Sequence, residues 1–250
     1  MSDLTTVVWK EWRELRAQSA DFGGTSMIVT VAALLLLVGG MAAIAGPELL
    51  RTPFIVVISA TPLFAVIGTI CEAFAGERER HTLETLLASR VTTEALLVGK
   101  IVVNVLYAWS GAVLLFLLLV VGANVPALGR SIVFPPVGVT LFIFVIIPLL
   151  LLLVCTAGVL VSLRAPTVRH AQSKLVLFFM GTAFLFLIPF LIIRSVFPHL
   201  MEAAKKAQAG PNFVFLAFAS WGVILLAIDV VLLLVARLRF QREQMIVTAG

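Results

Sequence analysis

Six stretches of this chain stay apolar for about as long as a helix needs to cross a bilayer, roughly 20 residues. They are Met27–Ala45, Pro53–Phe74, Ile101–Val121, Val137–Leu163, Leu175–Phe197 and Phe213–Val235. Within lipid a backbone must satisfy its own hydrogen bonds, and blocks of this length do so as helices. Composition points the same way: 61% of the residues are hydrophobic and 12% are charged, whereas soluble domains average about 45–50% and about 25%. Too little chain remains outside the blocks for a large soluble core. The expected fold is therefore all-α: one polytopic membrane domain over residues 1–250 with six transmembrane helices.

The charges between the blocks give a direction. The N-terminus, the loops 75–100 and 164–174, and the tail 236–250 hold 13 basic residues, against 4 in the alternate connectors. By the positive-inside rule both termini and the 75–100 loop face the cytoplasm, as expected for a multi-pass protein of the cell (inner) membrane. The net charge of +5 thus reads as topology, not as a nucleic-acid surface, since no basic patch with interleaved aromatics lies outside the blocks. Cys71 and Cys155 both fall in apolar runs, with no CxxC, and read as packing residues. No cleavable leader is expected, because the first apolar block begins only near Met27, after a mixed-charge segment.

Residues 1–26 carry a short amphipathic helix. Leu4, Val8, Trp12 and Leu15 share a face that Lys10, Arg13 and Arg16 avoid, and Trp9 and Trp12 suit the headgroup region. An interfacial helix is expected, turning at Phe22-Gly23-Gly24 into the first span. Pro62, Pro148 and Pro189 should kink spans two, four and five by removing backbone donors. Gly39/Ala43 and Ala42/Gly46 are small-residue pairs that would allow close helix approach. A short external helix is expected over Pro198–Pro211.

The loop 75–100 is charged and helix-prone. Glu77, Arg78, Glu79 and Arg80 alternate in sign; Leu83, Leu86 and Leu87 then form one apolar stripe on a short helix, with Arg80 and Glu84 spaced to pair. Thr92 is a plausible N-cap for a second helix, with Glu94 in its first turn, that runs through Gly99-Lys100 into span three. A helix with an apolar stripe, tethered at both ends to membrane spans, can seat in a cleft of a soluble partner and pass its motion inward. It could equally pack on its own bundle.

Over its length this segment resembles the loop between the second and third spans of type-2 ABC exporter permeases. That family shows an acidic-Gly-acidic-basic cluster, Thr-Leu-Glu, a Leu-Leu pair and a Gly-Lys before the next span. The matching residues are Gly76, Glu77, Glu79, Arg80, Thr82, Leu83, Glu84, Leu86, Leu87, Gly99 and Lys100, while His81 stands where Gly is common. A smaller resemblance lies at Arg169, Ala171 and Gln172, matching a basic linker that ends in Ala-Gln. The resemblance implies that Glu77, Arg78, Glu79, Arg80, Thr82, Leu83, Glu84, Leu86 and Leu87 couple the chain to an ABC ATP-binding subunit. It also implies a second permease subunit, identical or related, and a role in export. The short Gly46–Thr52 connector departs from relatives with a large extracellular domain.

No catalytic, cofactor or metal residues are expected in the chain. It has no GxxxxGK[ST], so ATP and Mg would belong to the partner subunit, and no HExxH or GxSxG occurs. Asp229 is the one carboxylate well inside a span, where it costs about 2.5–3.5 kcal/mol on insertion scales. It is a candidate substrate or gating residue, or a structural helix–helix contact. An ion-coupled secondary transporter is the alternative function, although such carriers usually place several polar groups mid-membrane.

Overall fold

The computed structural model describes residues 5, 7–13, 36–51, 54–79, 92–127, 132–181 and 211–248. All regular structure among them is helical, with no strand. Helix α1 covers residues 7–13, α2 Leu36–Ala45 and α3 Phe54–Gly76, running on through Glu79. Helix α4 is Thr93–Asn124, α5 Val137–Ser162, α6 residues 168–181 and α7 Pro211–Thr248. Four stretches within α3, α4, α5 and α7 are long and apolar enough to cross a membrane. Helix α2 is the described part of the first apolar block and α6 holds the start of the fifth. Residues 14–35 and 182–210, with Pro189, Arg194 and the expected 198–210 segment, lie outside the described residues. The expected tail is helical as far as Thr248.

Helix α5 sits at the centre, packed on α3, α4 and α7. Close approach depends on two glycines. A Cβ on Gly158 would lie 2.6 Å from Ile70 Cγ2 of α3, and one on Gly122 would lie 2.7 Å from the Gly39 carbonyl oxygen. That second contact, with Ala42 alongside, draws on both small-residue pairs of the first block. Gly46, at φ 69°, stops α2 in the left-handed conformation; its N–H donates to the Ala42 carbonyl at 2.9 Å. The outward faces are apolar as well (Ile44, Phe64, Leu177 and Val223 are exposed), which suits lipid rather than water.

Two of the three prolines fall at irregularities of their helices, and each irregularity has a local cause. Helix α3 is interrupted at Ala60–Thr61, with Pro62 opening the next segment. In α5 the disturbance precedes Pro148: residues Phe142–Ile146 form a wide π turn, closed by the Ile147 N–H on the Phe142 carbonyl. Continued for one more residue, that i to i−5 pattern would need an N–H from Pro148 for the Ile143 carbonyl, and proline has none. The indole N–H of Trp109 on α4 takes its place, at 3.3 Å. Phe144 packs edge-on against both Trp109 and Phe116.

Candidate functional site

A second π turn, Glu72–Gly76, ends the apolar part of α3, and it too is entered by a side chain of α4. The Lys100 ammonium lies 2.8 Å from the Ala73 carbonyl oxygen. The same nitrogen is 2.5 Å from Glu77 Oε1 and 3.4 Å from Glu11 Oε1. An ammonium has three protons, and here three oxygens surround it. Lys100 is only 1% exposed, and its ammonium also stands 5.5 Å from the ring centre of Phe74. A buried lysine is tolerated only with such compensation. Two carboxylates among the described residues thus converge on this one ammonium. Asn104, one turn further along α4, donates to the Lys100 carbonyl at 2.9 Å and fixes the backbone beneath it.

Glu11 reaches Lys100 because α1 lies directly on α4. A Cβ on Gly99 would stand 2.6 Å from Val7 Cγ1, so glycine is what permits the contact. Trp12 of α1 then meets Tyr107 edge-on, with ring centres 6.3 Å apart. The buried residues of α1 are accordingly Val7 and Glu11, with Val8 and Trp12 half-buried. Trp9 is exposed, with the Arg13 guanidinium 4.8 Å over its ring. The inward face of α1 is thus turned from the apolar stripe expected through Val8 and Trp12 toward Glu11, drawn by the lysine.

Two further carboxylates tie helices at the same end of the bundle. Glu79 accepts the Val168 backbone N–H at 3.0 Å and so caps the start of α6, beside the Thr167 hydroxyl that accepts from the His170 N–H. Glu94, in the first turn of α4, accepts from the Arg237 guanidinium of α7. Thr92 occupies the expected N-cap position in extended conformation, but its side chain makes no capping bond. In α6, Ala171 is fully buried and Gln172 approaches Gly68 of α3.

The residue set expected to couple the chain to a partner therefore divides. Glu77 and Glu79 bond within the chain, at the point where α3 ends. Arg78 lies in the helix between them. Arg80, Thr82, Leu83, Glu84, Leu86 and Leu87 lie outside the described residues. What is visible is the foundation of the insert: it leaves α3 beside Glu77 and returns as α4, and Lys100 joins the two across its base.

Asp229 stands apart from this cluster. Its side chain is 1% exposed on α7, and neither carboxylate oxygen has a hydrogen-bond partner among the described residues. Among the described residues no three His, Cys, Asp or Glu side chains gather as a metal site.

Sequence reading missed the central role of Lys100 and gave Glu11 none. The available signals were a lysine at the mouth of an apolar run, directly after a glycine, and a glutamate beside the apolar stripe of α1. No spacing rule pairs residues that are 89 positions apart, as 11 and 100 are. No protein-family model, curated protein or solved structure matches this chain.

Proposed function

We propose that this chain is the permease subunit of a type-2 ABC exporter, with six spans and both termini in the cytoplasm. It would form the translocation pathway with a second permease subunit, and the ATPase chemistry would reside in a separate nucleotide-binding subunit. The observation that carries this reading is the fastened base of the 75–100 insert. Lys100 holds Glu77 of α3, its own helix α4 and, through Glu11, helix α1. An insert mounted this way moves as one piece with two membrane helices, which is what a receiver of force from a soluble motor requires. The extended motif from Gly76 to Lys100 and the inside-positive charge pattern support the same reading.

The test is direct. A cysteine at Leu86 should crosslink to a co-purifying ATP-hydrolysing subunit. Glu84→Lys or Leu86→Asp should leave the chain in the membrane but separate ATP hydrolysis from transport. If residues 77–97 touch no such subunit in purified complexes, the proposal fails.

One observation favours the alternative, an ion-coupled secondary transporter: Asp229 is a fully buried carboxyl group with no hydrogen-bond partner among the described residues. Transport that is driven by a proton or sodium gradient without ATP, and abolished in a correctly assembled Asp229→Asn variant, would decide for it.

A further inference from the structure

Midway along α3 and α4 the two helices part around a recess of about 400 Å3, open along one side. That is the size range of small-molecule sites, about 300–1,000 Å3. Its walls follow from the chain. Helix α3 breaks at Ala60–Thr61, and a Cβ on Gly111 would reach Pro62 at 3.5 Å, so the glycine leaves room opposite the proline. Between these lie four hydroxyl residues, Thr61, Thr69, Tyr107 and Ser110.

Three of the four hydroxyl protons are already committed. Thr61 donates to the Ile58 carbonyl at 2.8 Å, Thr69 to Val66 at 3.3 Å and Ser110 to Tyr107 at 2.7 Å. Each of these oxygens retains lone pairs and has no second proton to offer. The recess therefore presents hydrogen-bond acceptors on an otherwise apolar wall. The Tyr107 phenol can accept as well, and it holds the one hydroxyl proton of the four that is not committed to a carbonyl among the described residues. Among the described residues no charged side chain lines the recess, so a full charge held here would find no compensation from them at a depth where charge is expensive.

We infer that this recess is a binding site for an uncharged, mainly apolar molecule carrying a hydroxyl or N–H donor. Anions are disfavoured because three of the four hydroxyls offer only lone pairs, and permanent cations because no carboxylate among the described residues faces them. A plain acyl chain would fill the space but use none of the oxygens. The site stands on this geometry alone and is independent of any contact between the insert and an ATPase.

Photolabelling of the full chain in lipid nanodiscs tests it, with a diazirine-bearing long-chain alcohol and the alkane of equal length as probes. The alcohol should label residues 61–69 and 107–114 about fivefold more than the alkane, the yield expected from one net hydrogen bond. Excess unlabelled octanol should compete with the alcohol probe. The Thr69→Val/Ser110→Ala double variant should bring the two probes close to parity. If that variant does not accumulate, competition by octanol against competition by octane in the unaltered chain gives the same comparison. Equal labelling by both probes would reduce the recess to a lipid slot. Absence of labelling together with crosslinking between copies through Ser110→Cys would make it a subunit contact. Either result overturns the inference, as does a probe preference that survives in the double variant. None of these readouts involves an ATPase, so they are separable from failure of the permease proposal.

Discussion

Replacing Lys100 with methionine is the sharpest perturbation of the cluster that joins α1, α3 and α4. The side chains are similar in length, so the change removes the charge and three donors with little loss of volume. Glu11 and Glu77 both present an oxygen within 3.4 Å of the lysine nitrogen. Those oxygens are therefore no more than about 6 Å apart, and at an effective dielectric near 20 two carboxylates at that separation repel by about 3 kcal/mol. The Ala73 carbonyl loses its cross-helix donor as well. Removing one member of a buried ion pair typically costs about 3–5 kcal/mol, and this arrangement belongs in that range. The cheapest relief is for α1 to detach and carry Glu11 into water. Lys100→Met should therefore lower unfolding stability in mixed micelles by about 3–5 kcal/mol, and should speed tryptic cleavage after Lys10 and Arg13. Adding Glu11→Gln and Glu77→Gln should restore most of the loss, because neutral amides do not repel. A loss below about 1 kcal/mol, the level of an ordinary surface pair, would refute the argument. So would a triple variant no more stable than the single one.

Gly122→Ala should destabilise by about 1–3 kcal/mol, the usual range for overpacking, because the nearest obstacle is the backbone carbonyl of Gly39 and α2 must move as a body. Gly40→Ala, with open space at its Cβ, should instead be neutral or stabilising by about 0.4–1 kcal/mol; thermal denaturation of the two variants side by side checks the contrast. Glu79→Ala removes the acceptor at the start of α6 and should cost about 0.5–2 kcal/mol, with faster amide exchange at Val168. Asp229→Leu should leave stability unchanged or raise it, since no hydrogen bond among the described residues is lost and a buried polar group disappears. A loss of about 3–5 kcal/mol in the same unfolding assay would mean that the carboxylate holds a charged partner.

The parts of this fold that were legible in the sequence are those set by local physics. The four apolar blocks that return in α3, α4, α5 and α7 stand out because a long apolar run carries its own signal. Thr92 marks the start of α4, although its hydroxyl is not used as a cap. Pro62 and Pro148 each follow an irregular turn of their helices. The illegible part is the pairing across helices. Glu11 carried no signal of its own, and it is buried only through its contact with Lys100. Glu77 and Glu79 looked like outward-facing members of a charge run, yet each bonds to another segment of the same chain. The π turns were equally silent, because widening by one residue leaves no mark in composition. Pro148 suggested a kink, but nothing local indicated that Trp109 would donate to the carbonyl left behind.

Those two π turns constrain how the bundle can move. Both cross-helix donors come from α4, where Lys100 enters the turn of α3 and Trp109 enters the turn of α5. Positions nine apart on a helix at about 100° per residue point to opposite sides, so α4 is pinned between its two neighbours. A shift of one residue along its axis, about 1.5 Å, would lengthen and misalign both bonds together, and the longer one, from Trp109, would be lost. Sliding α4 past α3 or α5 is therefore opposed twice. Relative motion is then expected at the interfaces these bonds do not pin. The contact of α7 with α5 is one such interface.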